Sequence, residues 1–163
     1  MSQTTAHETA LPSSSLLTAT AFATAVRTVE KANPELTDGM ADRIVSEAVK
    51  FVAAAALNST PGLALRPSQV VDEGWHALIT DTKSYAELCQ LLGRFVHHVP
   101  ETPATKKHDT ATVDRTLKAI REAGHEPDEY LWSLEAQSSV LVSADCMHSE
   151  CTDGGSGCAA PPS

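Results

Sequence analysis

An all-α fold is predicted by three observations. Apolar residues recur at three- and four-residue spacing in five separate stretches, as on the buried face of a helix. No stretch alternates convincingly with a period of two, and Ser139 to Val142 is the one weak strand candidate. Breakers stand between the periodic stretches: Asn33-Pro34, the run Asn58-Ser59-Thr60-Pro61-Gly62, Gly93 and Gly124. The expectation is a compact bundle of five to six helices over residues 16–143. A disordered arm over 1–15 precedes it, and a flexible Cys/Gly-bearing tail over 144–163 follows.

The arm is Ser/Thr-rich and aperiodic, and Pro12 followed by three serines closes it. Leu16 to Ala32 is the first predicted helix, with Leu17, Ala21, Ala25 and Val29 on one face. Asn33-Pro34 stops it, because the residue before proline disfavours helical backbone. The second helix begins at Thr37 or Asp38 and runs to Leu57. Met40, Ile44, Ala48, Val52 and Leu57 form its stripe, widened by Val45, Val49 and Phe51. Asp42, Arg43, Glu47 and Lys50 sit mostly off that stripe. Ala53 to Ala56 is the strongest helix-forming run in the chain.

Ser68 is placed to cap a third helix that runs to about Ile79, with Asp72 near its positive end. Thr82 or Ser84 then caps a fourth helix through Leu92, and Ser84-x-x-Glu87 has the capping-box form. Gly93 is a C-terminal stop. Residues 101–109 read as a loop. A fifth helix runs from Asp109 or Thr112 to Ala123, with Val113, Leu117 and Ile120 inward. Glu126 to Glu135 reads as a short helix opened by Pro127.

Composition narrows the function classes. The 163 residues suit one domain. Aromatics are 4% of the chain, so the core is built from small residues. The net charge of −9 argues against nucleic acid and against anionic membranes, since both favour clustered Lys and Arg. No apolar run approaches the roughly 20 residues of a membrane span. The N-terminal residues lack the basic start of a secretory signal, so the expected compartment is the cytoplasm.

Chemistry concentrates in the third and fourth helices. Asp72 and His76 are spaced i, i+4, which puts both on one helix face. The carboxylate can orient the imidazole, or both can ligate one ion. A zinc site needs three or four ligands. His97 or His98 supplies the next if the two helices form a hairpin, and Cys89 is a further candidate. Against this stands a plain structural reading: an Asp/His pair at this spacing also serves as a surface hydrogen bond. Trp75, Ile79, Tyr85 and Leu88 fit a core, and a lone Cys89 fits a small buried hydrophobe.

The same block carries a resemblance. Asp72-x-x-Trp75-His76-x-x-Ile79-x-x-Thr82-x-x-Tyr85-x-x-x-Cys89-x-x-x-Gly93-x-Phe95-x-His97-His98-x-Pro100 resembles the signature of the glycine-rich domain-containing protein-like family. That family has no established biochemical activity. The resemblance implies a helical domain with a polar set at Asp72, Trp75, His76, Tyr85, Cys89, His97 and His98. One departure stands out: members often carry a second histidine two residues after the first, and here that position is Leu78.

The tail is the second candidate. Cys146-x-His148-x-x-Cys151-x6-Cys158 offers soft ligands for Zn(II) or Cu(I), with glycines that let the backbone turn tightly. An inert or redox-active thiol tail and a modified peptide segment are its competing readings. His7, His108 and His125 read as surface residues.

Three functions follow. The first is a protein binding a transition metal (Zn, Fe or Cu) through Asp72, His76, His97, His98 and Cys89, with Cys146, His148, Cys151 and Cys158 as tail ligands. The second is a non-catalytic interaction module with a protein partner, or a leader-like domain carrying a working tail. The third is an enzyme in which His76 acts as acid or base, oriented by Asp72.

Overall fold

The computed structural model describes residues 12–58, 65–99 and 110–140. Seven α-helices and one 3-10 turn make up the regular structure, and no strand occurs among the described residues. The helices are α1 (Ser13–Leu16), α2 (Ala19–Ala32), α3 (Met40–Leu57), α4 (Gln69–Thr80), α5 (Thr82–Leu91), α6 (Thr110–Glu122) and α7 (Leu134–Ser139). The 3-10 turn, Glu129–Trp132, lies between α6 and α7.

Helix α3 is the centre of the bundle. Ile44, Val45, Ala48, Val49, Phe51 and Val52 are all buried along it, against α2, α4 and α6. Apart from Phe51 this face is built of small and β-branched residues, so a neighbour can come close. Helix α4 does so at Gly74. A Cβ built there would stand 2.7 Å from the Ile44 carbonyl oxygen and 2.9 Å from the Ala48 Cβ. The glycine therefore sets the α3–α4 separation, and through it the place of Asp72 and His76.

Several boundaries differ from the sequence expectation, each for a local reason. The first predicted helix is two: the chain breaks at Leu17, and the Thr18 side chain caps α2 by accepting from Ala21 N at 3.1 Å. Helix α1 also enters the segment expected as a disordered arm; residues 1–11 lie outside the described residues. Helix α4 is capped as expected, with Ser68 Oγ accepting from Val71 N at 3.2 Å and donating to the Leu131 carbonyl at 2.7 Å. The cap of α5 is Asp81, not Thr82 or Ser84. Its carboxylate accepts from both the backbone N–H and the hydroxyl of Ser84, which hold it below the usual carboxylate range. The predicted 126–135 helix is a 3-10 turn followed by α7, and that turn buries Leu131 and Trp132. The weak strand candidate falls partly in α7, which runs to Ser139.

Glu47 is the main departure in the core. It is fully buried, and three groups satisfy it: Trp132 Nε1 at 2.8 Å, Lys50 Nζ at 2.9 Å and Asp128 N at 3.0 Å. A buried carboxylate is tolerated only with this kind of satisfaction. Lys50 also donates to the Glu126 carbonyl at 2.8 Å. Together these bonds fasten residues 126–132 to α3.

Candidate metal centre

Asp72 and His76 share a face of α4, as their spacing predicts. His76 Nε2 lies 3.8 Å from Asp72 Oδ2. The third member arrives from beyond α5. Gly93, at φ +78°, ends that helix in the left-handed region, and Arg94 N bonds back to the Cys89 carbonyl at 3.1 Å. Arg94 Nη1 donates to the Asn58 carbonyl at 2.8 Å. The chain then runs back along α4, and His98 Nε2 reaches Asp72 Oδ1 at 3.1 Å.

Exposure alternates through this returning segment. Phe95, His97 and Val99 are exposed, whereas Val96 and His98 are partly buried. The alternation puts neighbouring side chains on opposite sides of the segment. Only one of two adjacent histidines can therefore face α4, and it is His98. His97 stands against Phe95 instead, ring centroids 4.7 Å apart.

One ligand atom from each of Asp72, His76 and His98 lies within 4.8 Å of the others, and all three residues are partly buried. The two imidazole rings are 4.5 Å apart, tilted by 51°. Cys89 lies outside this group. It is 2% exposed and shares the inward face of α5 with Tyr85 and Leu88, which puts it in the core. Leu78 is buried as well, on the core side of α4. Two residues past His76 is about 200° round the helix, so this position looks away from the site.

An aromatic layer backs the three residues. Trp75 and His98 meet in a T-shaped contact, centroids 4.6 Å apart, and Phe51 meets Trp75 at 5.0 Å. Contacts of this kind contribute about 0.5–1.5 kcal/mol each beyond their buried area. Trp75 Nε1 donates to Tyr85 Oη at 3.0 Å, and the Tyr85 hydroxyl donates to the Val96 carbonyl at 2.5 Å. Burial pushes the Tyr85 phenol well above its usual range, so it keeps the proton that it donates.

The arrangement offers two imidazoles and a carboxylate on one side of the bundle, held from behind by packed rings. Sequence reasoning found Asp72, His76 and the His97/His98 pair. It did not find the Trp75–Tyr85–Val96 relay, although the i, i+10 pairing across a short α4–α5 turn makes such a contact geometrically available. Cys146, His148, Cys151 and Cys158 lie outside the described residues.

Comparison with known proteins adds the family. The UCP032817-like family model matches residues 14–128. The chain belongs to that family. The match spans α1 to α6 and therefore contains Asp72, His76 and His98. No curated protein matches the chain, and no solved structure does. Among the described residues no helix is long and apolar enough to cross a membrane.

Proposed function

We propose that this UCP032817-like protein binds one transition-metal ion through Asp72, His76 and His98. The observation that carries this reading is the convergence of His98 on the Asp72/His76 face from 22 residues downstream of His76. Metal–ligand bonds of about 2.0–2.2 Å place neighbouring ligands of a tetrahedral shell about 3.4 Å apart. His98 Nε2 to Asp72 Oδ1, 3.1 Å, and His76 Nε2 to Asp72 Oδ2, 3.8 Å, lie on either side of that figure, each histidine beside a different carboxylate oxygen.

The donor set fits Zn(II) or Fe(II), which accept imidazole with carboxylate. Cu(I) prefers thiolate and suits the tail cysteines better. When bound, such an ion would act as a Lewis acid toward an oxygen ligand. Asp72 neutralises part of its charge, and the two imidazoles bind through nitrogens that must be free of protons. Loading is therefore expected to release protons and to weaken in acid. The resemblance of residues 72–100 to the glycine-rich domain-containing protein-like family belongs to this reading, as does a second ion on the Cys146/His148/Cys151/Cys158 tail.

A non-catalytic interaction module is the second reading. Exposed Leu57, Leu91, Phe95 and Val99 favour it, since large apolar side chains at the surface suit a protein partner.

Elemental analysis separates the two readings. Three forms are compared: the full chain, His76→Ala, and a chain with Cys146, Cys151 and Cys158 all changed to Ser. Near-stoichiometric metal that survives the cysteine changes and is lost with His76→Ala supports the central site. Metal lost only with the cysteines moves the function to the tail. No metal in any form, after reconstitution with Zn(II), Fe(II) or Cu(I), leaves the interaction module.

A further inference from the structure

We infer that Tyr85 is the positioning residue of the candidate centre: its hydroxyl holds the 94–99 segment at the register that brings His98, and not His97, onto Asp72. This rests on the metal-binding reading for its functional consequence, but not for its geometry.

Three observations carry it. Tyr85 is 4% exposed, so its hydroxyl needs partners inside the protein. It has two in series: it accepts from Trp75 Nε1 and donates to the carbonyl of Val96, two residues before His98. Trp75, the other end of the relay, lies against the His98 ring and is next to His76 in sequence. The relay thus ties α4, α5 and the returning segment together beside the ligand cluster. Among the described residues, regular backbone pairing does not hold segment 95–99, which belongs to no helix or strand. Beside the His98–Asp72 contact, the Val96 carbonyl is where another side chain holds it. A slip of one residue would turn His98 outward and His97 inward.

The phenol ring and its hydroxyl have separable roles. The ring fills the core and stands edge-on to Phe95, centroids 5.5 Å apart. The hydroxyl sets the register. Tyr85→Phe keeps the first and removes the second. Leu88→Ala is the packing control: it lies on the same helix, is equally buried, and makes no bond to the returning segment.

The test measures Co(II) affinity and the Co(II) d–d spectrum of the full chain, Tyr85→Phe and Leu88→Ala, with the melting temperature of each metal-free form. Removing a group that orients a metal ligand weakens binding by about ten- to a hundredfold. Tyr85→Phe is expected to show that loss and an altered spectrum. Leu88→Ala is expected to melt lower and keep both. Equal affinity and spectrum in Tyr85→Phe would overturn the inference while leaving metal binding intact. If the unaltered chain takes up no cobalt, the metal reading fails by itself. The positioning claim is then decided on the metal-free protein by NMR. Tyr85→Phe is expected to move the His98 ring protons out of the Trp75 ring current, and unchanged His98 shifts would overturn it.

Discussion

Replacing Gly74 by alanine should destabilise the protein, although alanine is the better helix former. An exposed glycine within a helix gains about 1 kcal/mol on this change. Gly74 is not exposed, and α3 leaves no room for a methyl group. The new Cβ would stand 2.7 Å from the Ile44 carbonyl oxygen, 2.9 Å from the Ala48 Cβ and 3.0 Å from the Ile44 Cγ2. Ordinary contacts of this kind are about 3.5–4.0 Å, so α4 must retreat by about half an ångström or more. The first of these atoms is helix backbone, which cannot rotate aside. Inserting a methyl into a packed core costs about 1–3 kcal/mol, and the contact with fixed backbone puts Gly74 in the upper part of that range, about 2–3 kcal/mol, above the propensity gain. A net loss of about 1–2 kcal/mol corresponds to a melting temperature about 3–6 °C lower in a chain of this size. Thermal unfolding followed by circular dichroism reads it directly. A variant that melts at or above the parent temperature would refute the close α3–α4 approach. Because α4 carries Asp72 and His76, the same variant should bind metal more weakly than its stability loss alone implies.

Three further outcomes are expected. Glu47→Ala leaves Trp132 Nε1, Lys50 Nζ and Asp128 N without their shared buried acceptor, so urea unfolding should show a loss of about 3–5 kcal/mol. Glu47→Gln, which still offers an acceptor to Trp132, should lose clearly less. His125 sits below the ordinary histidine range, first because burial penalises its charged form and then because Lys50 is near. The unfolded chain therefore binds that proton more readily, and stability should be full above about pH 6.5 and fall as the pH drops below it; His125→Asn should flatten the acid side of the melting-temperature profile. Finally, His98→Ala should abolish metal retention, whereas His97→Ala should leave it unchanged.

The helices were legible wherever a buried stripe ran unbroken. The stripe from Met40 to Val52 announces α3, Ser68 announces the start of α4, and Gly93 and Gly124 mark the stops after α5 and α6. The break at Leu17 was hidden because Leu17 fits the helical spacing of its neighbours, while the decisive Thr18 cap is a local side-chain bond. Asp81 was passed over for a similar reason: Asp81, Thr82 and Ser84 can each cap, and only geometry chooses among them. Glu47 looked like a surface charge. It lies three residues after Ile44 and four before Phe51, on their face, but its partner Trp132 is 85 residues away and no local pattern signals it.

The site divides in the same way. The i, i+4 spacing of Asp72 and His76 is local, and it was readable. The choice of His98 over His97 depends on which side of the returning segment each one faces, which the Tyr85–Val96 bond sets. Cys89 was a fair candidate by composition. Its place beside Leu88 on the inward face of α5 takes it to the core.

X-ray absorption at the metal edge, on the full chain loaded with one equivalent of Zn(II), tests the central claim most directly. A site made by Asp72, His76 and His98 predicts a shell of nitrogen and oxygen at about 2.0–2.1 Å, with the outer scattering of two imidazoles and no sulfur. The same shell should persist in His97→Ala. A sulfur shell at about 2.3 Å would place the ion on cysteine instead, and would contradict the account.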